Sequence, residues 1–548
     1  AAQDGHTLLP RSWIIQRARN RSLQPPCPLG ENVLEALEEN LVPIIERVTT
    51  RSDEPAYQVD RLAECRTIIR QEVQKRQKGK SHAASHPWRD LVDQVLDRET
   101  AQNHSRSRDP AEREIEERAR AEKAAALEQL FRSRLSVLIG PAGTGKTTLL
   151  RMLCGIREVA TKGLLLLAPT GKARVRLEER TGLRGSGYTL AQFLIRYKRY
   201  NGETGEYYSN RKAPRCNEYR TVIMDECSML TEEQLAALID SLANVERLIL
   251  VGDPRQLPPI GAGRPFVDIV NYLKPANVET MFPRCGPGYA ELTIPRRQQG
   301  EGREDVLLAA HFSRQPLDPG ADAVWNLLMS ESHGRIWLVQ WNHPQELHEK
   351  ILAELVRALS LAGPEDELGF EMSLGGTPYE NISRAFFWPQ NETREGAAAK
   401  AEAWQILSPV RAGLAGVDAL NRMIQDRFRR QTRELAEAEG FRRKVPRPIG
   451  PQMLLYGDKV INVINQHRRD VYPTPEGEAY IANGDIGIVV GQYKTQKMKS
   501  LPRKLEVEFA TQPGYKYVFH TSEFGDEGAN PLELAYCLTV HKTQGSEF

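Results

Sequence analysis

The stretch VLIGPAGTGKTTLL, residues 137–150, follows the pattern G-x-x-x-x-G-K-[ST] from Gly140 to Thr147. An apolar run precedes it and a helix-favouring run follows, the setting in which this pattern cradles phosphate. Gly140, Gly143 and Gly145 let backbone N–H groups turn inward, and the helix opening at Lys146 offers its positive end to an anion. Lys146 is placed to reach the β- and γ-phosphates of ATP, the Thr147 hydroxyl to bind Mg2+, and Thr148 completes the helix start. TVIMDECSML, residues 221–230, is a second apolar run and ends in two acids. A magnesium ion bridging phosphates needs an oxygen ligand opposite the loop, and Asp225 supplies one. Glu226, one residue on, is then placed to polarise an attacking water. The two stretches together imply ATP and Mg2+ as cofactors, and hydrolysis rather than binding alone.

Two further strand-and-turn stretches carry polar residues. In LILVGDPRQLPPIGAG (248–263), Gln256 is the residue expected near the γ-phosphate, where an uncharged amide senses whether phosphate is present. The same turn also fits simple capping by Asp253 and Gln256 before two prolines. In LLLLAPTGKARVRL (164–177), Thr170 and Lys172 stand at the edge where a parallel sheet presents its ligand. A hydroxyl and a cation there suit a nucleic-acid phosphate, and an ordinary strand–helix loop fits equally.

These residues need a scaffold. From residue 134, the runs LSVLIG, GLLLLAP, TVIMDE and RLILVGD alternate with helical stretches after Gly- or Pro-rich turns. Unbroken apolar strands of this kind predict a parallel sheet covered on both faces. The first such α/β domain is expected over 121–290, with RYNGETGEYYSN (199–210) as a β-hairpin insert. A second, over 291–445, contains RIWLVQW and AWQILSPV, carries a surface insertion at about 360–400, and resumes at 531–548 with ELAYCLTV. Between them, 446–530 holds short alternating strands with Gly/Asn/Asp turns, which predict a small inserted β-barrel. Residues 1–75 read as helices, with Val33, Leu34, Leu37, Leu41 and Ile44 at helical spacing. Residues 76–120 read as a charged linker ending in an exposed helix with i,i+4 charge pairs.

At 548 residues, several domains are expected. Lys+Arg 74 against Asp+Glu 72 leaves a net charge of +2, which neither requires nor excludes a polyanionic partner. No apolar run reaches the ~20 residues that span a bilayer, and no secretory signal is visible, so the setting expected is cytoplasmic, without a membrane. Cysteines 27, 65, 154, 216, 227, 285 and 537 are scattered with no CxxC pair, which predicts buried free thiols rather than zinc or disulfides. The chain starts at Ala1 and stops on a strand and polar turn, so it reads as part of a longer protein.

Taken with LTIPRRQ (292–298), QILSPVRAGLAGVDALN (405–421), YGDKVINVIN (456–465), NGDIGIVV (483–490) and LAYCLTVHKTQGSEF (534–548), these stretches resemble the motif series of superfamily 1 DNA helicases. The nearest likeness is the RecD family in its long bacterial form. GHTLLPRSWIIQRA (5–18) and YQVDRLAECRTIIRQ (57–71) resemble the helix-turn-helix region that precedes its motor. The resemblance implies two RecA-like P-loop motor domains, an inserted SH3-like β-barrel and an N-terminal helical domain. It implies ATP in the cleft and single-stranded DNA across the top, with duplex junctions as substrate, 5′–3′ movement and a nucleoid-associated, cytoplasmic setting. Carried over by position, Arg297 contacts the γ-phosphate, Gly545 and Glu547 approach the nucleotide, and Thr189, Thr539 and His541 face DNA together with Thr170 and Lys172. The hairpin at 199–210 is implied as the pin that splits the duplex.

The family pattern is broken in places. The upstream glutamine that reads adenine in the family falls by position near Lys123, with Gln129 too close to replace it. Ala191 stands where a DNA-contacting histidine is expected. The family's last arginine-bearing motif belongs beyond Phe548, so the chain is expected to stop within the second motor domain. A different class of function fits the same motifs: an ATP-switched DNA-binding or regulatory subunit that does not unwind, with the N-terminal helices recruiting a nuclease or other protein partner. An RNA motor is a third reading.

Overall fold

In the computed structural model, residues 5–21, 24, 29–41, 44–50, 53–83, 86–102, 110–294, 304–312, 328–329, 336–379, 382–439, 443–474, 479–491, 504–525 and 530–544 are described. They fall into two compact units, one of residues 1–169 and 176–319, the other of residues 170–175 and 320–548.

The first unit opens with β1 (Leu8–Pro10), α1 (Arg11–Arg19), α2 (Glu31–Leu41), β2 (Ile45–Thr49), β3 (Pro55–Val59) and α3 (Asp60–Lys78). The strands form an antiparallel sheet in the order β1-β3-β2. The purely helical N-terminus expected from spacing is therefore corrected. The sequence carries Pro43 after α2, and a proline disfavours helix continuation; the following IERVT, with three β-branched residues in five, pairs along β3 instead. Of the apolar stripe on α2, Leu34 is buried, while Val33 and Leu37 stay exposed, as does Ile44 beyond it.

The charged linker expected over 76–120 is also corrected. It contains α4 (Trp88–Gln102) and most of α5 (Pro110–Arg132). Val92 and Leu96 of α4 and Leu127 and Leu130 of α5 are fully buried. The charges read as solvated pairs instead join the helices: Arg120 of α5 reaches Asp93 at 2.8 Å and Asp97 at 2.7 Å, and Arg89 of α4 holds Glu117 at 2.6 Å.

Beyond α5 follow β4 (Leu135–Ile139), α6 (Lys146–Cys154), α7 (Arg157–Ala160), β5 (Leu164–Ala168), α8 (Gly171–Thr181), β6 (Gly187–Thr189), α9 (Leu190–Arg196), β7 (Thr221–Met224), α10 (Glu232–Ser241), β8 (Arg247–Gly252), α11 (Pro265–Leu273), β9 (Cys285–Gly286) and β10 (Tyr289–Glu291). They build a seven-stranded sheet, β6-β5-β7-β8-β4-β10-β9, parallel except at β9. The unbroken apolar runs follow from burial on both faces. Leu135, Val137, Val222, Met224, Leu248 and Leu250 pack with Ile69, Phe193, Leu235 and Phe266; the alternate residues Leu138, Ile223, Ile249 and Val251 pack with Leu127, Leu130, Leu149 and Leu150. The period of two thus deals one strand to two cores.

The 199–210 insert is shorter as a hairpin than expected. It closes on one antiparallel bridge, Tyr200 to Tyr207, with their rings 4.6 Å apart. What fixes it is Arg199, fully buried. Its guanidinium donates to Asp240 Oδ2 at 2.8 Å and to the carbonyls of Tyr197, Pro214, Asn210 and Asp240 at 2.7–3.1 Å. Burial alone would raise the Asp240 carboxyl, but the Asn210 N–H, Arg199 and Arg215 outweigh it and hold the group below its ordinary value.

In the second unit, β13 (Ile406–Ser408) pairs in parallel with β22 (Cys537–Thr539), after the hairpin β11 (Thr377–Tyr379) and β12 (Ile382–Phe386). Residues 336–341 of RIWLVQW form no strand, and Trp337, Leu338, Val339 and Trp341 stay exposed. The stretch 360–400 is no surface insertion: Phe370, Leu374 and Phe387 are fully buried, and Phe370 stacks on Phe428 with ring centroids 4.4 Å apart. The strands β14 (Lys459–Asn462), β15 (Gln466–His467), β16 (Val471–Tyr472), β17 (Tyr480–Ile481), β18 (Ile486–Val490), β19 (Lys504–Phe509), β20 (Gln512–His520) and β21 (Leu532–Leu534) follow. Six of them form one antiparallel sheet, β16-β20-β19-β18-β14-β21. Where a closed barrel was expected, no pairing joins β16 to β21 among the described residues. Arg429, fully buried, ties this sheet to the helices: it donates to Glu371, to the Tyr456 carbonyl and to Asp458, which also accepts from Tyr536 and Gln425.

The described cysteines are all free thiols, and only Cys285 among them is not buried; Cys27 lies outside the described residues. No helix among the described residues is long and apolar enough to cross a membrane.

A candidate nucleotide-binding site

The loop from Gly140 to Gly145 joins the end of β4 to the start of α6. Gly145 has φ +90°, a conformation that L side chains rarely adopt, and a Cβ there would stand 3.0 Å from Cε of Lys123, a buried residue beneath the loop. A Cβ on Gly140 would meet the Leu292 carbonyl oxygen at 2.4 Å. Gly143 also has positive φ. The Thr144 hydroxyl donates to the Pro141 carbonyl at 2.9 Å, and Lys146 Nζ donates to the carbonyls of Gly140 at 2.6 Å and Pro141 at 3.1 Å. Burial lowers the Lys146 pKa, against the pull of Asp253, Asp225 and Glu226. Thr147 and Thr148 follow in the first turn of α6, half-buried.

β8 runs between β4 and β7, so the loop, the Asp253 turn and the two acids stand at neighbouring strand ends. The Asp225 N–H donates to the Leu167 carbonyl at 2.9 Å, and its carboxylate accepts from the Glu226 N–H at 2.9 Å. Glu226 takes φ +51°, a left-handed conformation that is costly for a residue with a Cβ and is found preferentially at functional sites. Burial raises both carboxyls. Asp225 is drawn back by the Glu226 N–H, Lys146 and Arg180. Glu226 is pushed up to about 7 by burial and by Asp225, against Lys146 and Arg176. Arg176 and Arg180 of α8 were not singled out from sequence; their i,i+4 spacing was the available signal.

Among the described residues no group of three or more His, Cys, Asp or Glu stands ready to hold a metal. Mg2+ does not require one, because it usually takes one or two carboxylates and completes its shell with water and phosphate oxygens. A half-buried carboxyl raised by desolvation, Asp225, together with the Thr147 hydroxyl, fits that chemistry.

Gln256 sits in the turn after β8. Its N–H donates to the Asp253 carbonyl at 3.1 Å, and its Oε1 accepts from the Ser228 hydroxyl at 3.3 Å. Ser228 thereby links the turn bearing the acids to the expected phosphate sensor. Nothing local in the sequence marks it, since the two residues are 28 apart.

The expected DNA-facing residues have mixed surroundings. Thr170 caps α8, accepting from the Ala173 N–H at 3.2 Å. Lys172 is buried and pairs with Glu402 at 2.8 Å, so a phosphate contact from it requires that pair to open. Thr189 is a correction: it is 1% exposed and caps α9 through the Gln192 N–H at 3.1 Å, and Ala191 beside it is buried. Thr539 and His541 are half-buried at the end of β22. Arg297, Gly545 and Glu547 lie outside the described residues.

A parallel sheet with a glycine-rich phosphate loop on one strand and a half-buried acid pair two strands away is the arrangement of a P-loop nucleotide-binding domain. A family of AAA domains matches residues 118–282. An uncharacterized protein of Methanocaldococcus jannaschii is 25% identical over 77% of this chain and 34% of its own length. The ATP-dependent RecD2 DNA helicase of Deinococcus radiodurans is 26% identical over 78% of this chain and 44% of its own. The RecBCD enzyme subunit RecD of Mycolicibacterium smegmatis is 26% identical over 78% and 64%. The chain is thus similar to RecD2 and RecD proteins over more than three quarters of its length, and spans between about a third and two thirds of these three relatives.

Proposed function

We propose that this chain is the ATP-hydrolysing core of a superfamily 1 DNA helicase that moves 5′–3′ on single-stranded DNA and opens duplex junctions. The observation that carries the proposal is that the glycine loop with Lys146 and the acids Asp225 and Glu226 stand at strand ends on one edge of a parallel sheet, with only the Asp253 turn of β8 between them. The likeness to an ATP-dependent RecD2 DNA helicase supports the choice of substrate. In this reading the glycine loop and Lys146 hold the ATP phosphates, and Thr147 and Asp225 hold Mg2+, which when bound neutralises charge on the phosphoryl group. Glu226, raised toward neutrality by burial, takes a proton from water, and Gln256, oriented by Ser228, senses the γ-phosphate.

Further parts of the proposal rest on resemblance. A second RecA-like domain supplies Arg297, Gly545 and Glu547 to the nucleotide. Thr170, Lys172, Thr539 and His541 touch the strand. The sheet from β14 to β21 serves as the SH3-like guide, the 199–210 hairpin as the duplex-splitting pin, and the N-terminal elements as a helix-turn-helix-like region that docks a protein partner. The working place is the bacterial cytoplasm, at the nucleoid.

The test is strand displacement on 5′-tailed and 3′-tailed duplexes, with ATP hydrolysis measured beside it. The expected result is DNA-stimulated hydrolysis, opening of the 5′-tailed duplex only, and loss of both activities in Lys146→Ala. Hydrolysis stimulated by DNA without displacement from either tail would refute the helicase reading and favour an ATP-switched clamp.

A further inference from the structure

The ends of α3 and α5, the start of β4 and the turn before β10 enclose a pocket of about 230 Å3. β4 carries the phosphate loop at its far end, so the pocket is remote from the nucleotide site. Arg76, Arg132 and Arg134 line it together with two serines and two glutamines, and no acid does among the described residues. The arginines are not equivalent. Arg76 is buried and held in place: Nε donates to Glu72 at 2.7 Å, and Nη1 to the carbonyls of Arg134 at 3.0 Å and Val245 at 3.2 Å. Arg132 donates to Glu128 at 2.9 Å. The backbone of Arg134 is pinned, since its carbonyl also accepts from the Leu248 N–H at 3.0 Å. Its half-buried guanidinium lies beside Gly79, where a Cβ would stand 2.7 Å from Arg134 Cδ, and it makes no hydrogen bond or ion pair among the described residues. Nε is sealed from solvent, so Nη1 and Nη2 are the atoms a ligand reaches.

The charge around this pocket does not cancel. Glu72 and Glu128 offset Arg76 and Arg132. Glu246, beside Val245, is taken by Lys162 at 3.1 Å and Arg247 at 3.4 Å. The ends of α3 and α5 add about half a negative charge each. Against that stand Arg134 and the exposed Lys78 and Lys80 on either side of Gly79. Burial lowers the Arg76 pKa, Glu72 opposes this, and the Arg134 charge lowers it further, so the two guanidiniums are close enough to repel. An oxyanion beside both relieves that repulsion. The Ser133 hydroxyl accepts from the Gly288 N–H at 3.1 Å, which leaves its proton to donate. Guanidinium and hydroxyl donors on several walls suit the many acceptor oxygens of a phosphate. Lys78 and Lys80 continue the positive charge outside the pocket, which suits a polymer with an anion in every unit.

We propose that this pocket takes a backbone phosphate of a nucleic-acid strand, gripped by Arg134 and Ser133, while Lys78 and Lys80 meet neighbouring phosphates. The positive pocket stands without the helicase proposal, whereas the choice of nucleic acid rests on it in part. Binding needs neither hydrolysis nor strand displacement, so each proposal can fail without the other.

The test is fluorescence anisotropy of the full chain with labelled oligothymidylate, without ATP, at stepped salt concentrations. Arg134→Gln is expected to weaken binding several-fold and to reduce the slope of log K against log salt by about 0.7, the loss of one phosphate contact on a single strand. Arg134→Lys, which keeps the charge without the fork, should keep the slope; a merely structural role would not separate the two variants by charge. Absence of binding, an unchanged slope in Arg134→Gln, or the same loss in Arg134→Lys would each overturn the proposal. A second measurement separates free phosphate from a strand: melting with millimolar inorganic phosphate in the Lys146→Ala background, where the phosphate loop is disabled. Stabilisation that Arg134→Gln removes, together with an unchanged slope on DNA, would overturn the choice of nucleic acid and assign the pocket to a small phosphate.

Discussion

Replacing Arg199 by methionine keeps most of its volume while removing its charge and donors. Its guanidinium makes five hydrogen bonds, two to Asp240 and one each to Tyr197, Pro214 and Asn210. Breaking a buried pair by removing one partner costs about 3–5 kcal/mol. Here Asp240 keeps Arg215 at 3.0 Å and the Asn210 N–H at 2.8 Å, so its charge is not left bare. The carbonyls of Tyr197, Pro214 and Asn210, by contrast, lose their donor. The lower end of the range, ~3 kcal/mol, is therefore expected. Urea denaturation followed by circular dichroism measures it, with Asp240→Asn and the double variant completing a cycle. If the hairpin splits duplexes, Arg199→Met should also lose strand displacement while keeping ATP hydrolysis, since its residues are remote in sequence from the phosphate loop. A loss below ~1 kcal/mol, or additive single effects in the cycle, would refute the claim that Arg199 staples this excursion to Asp240.

Ser228→Ala should lower DNA-stimulated ATP hydrolysis about two- to fivefold without changing the melting temperature. The bond to Gln256, at 3.3 Å, is long for a hydroxyl donor and is worth ~0.5–1 kcal/mol; steady-state kinetics reads it. Lys459 is held down to about 7 by burial, with Lys172 adding to that and Glu402 opposing it; its ammonium donates to the Trp404 carbonyl at 2.6 Å. The unfolded chain binds this proton up to a pH near the ordinary lysine value while the folded chain has released it. Stability should therefore rise with pH between about 7 and 10.5, by up to ~1.4 kcal/mol per unit. Lys459→Met should flatten that slope, as urea titrations at stepwise pH would report.

The arrangement of the candidate nucleotide site was legible because it is local in sequence: a strand, a glycine loop and a helix start lie within residues 135–150, and the acid pair directly follows β7. The first sheet was legible for a related reason, since strands buried on both faces leave unbroken apolar runs. Pairings between distant segments left no such trace. The three N-terminal strands join residues 8–10 to 45–59. The charges of α4 and α5 look solvated until the helices meet, when Arg120 finds Asp93 and Asp97. Phe370 and Phe387 were lost among glycines, prolines and acids, which dominate the composition of a stretch without revealing which few side chains turn inward.

Arg429 has a consequence for anyone wishing to transplant the strand-rich module. Cut at its apparent borders, residues 446–530 would carry Asp458 and Tyr456 away and leave the guanidinium behind with the helices. The excised piece would keep Asp458 with the Leu455 N–H but without Arg429, Gln425 and Tyr536, and the remnant would keep Arg429 on Glu371 but without Asp458 and the Tyr456 carbonyl. This insert is therefore inseparable from its host, and grafts of it should include residues 417–437 or fail to fold.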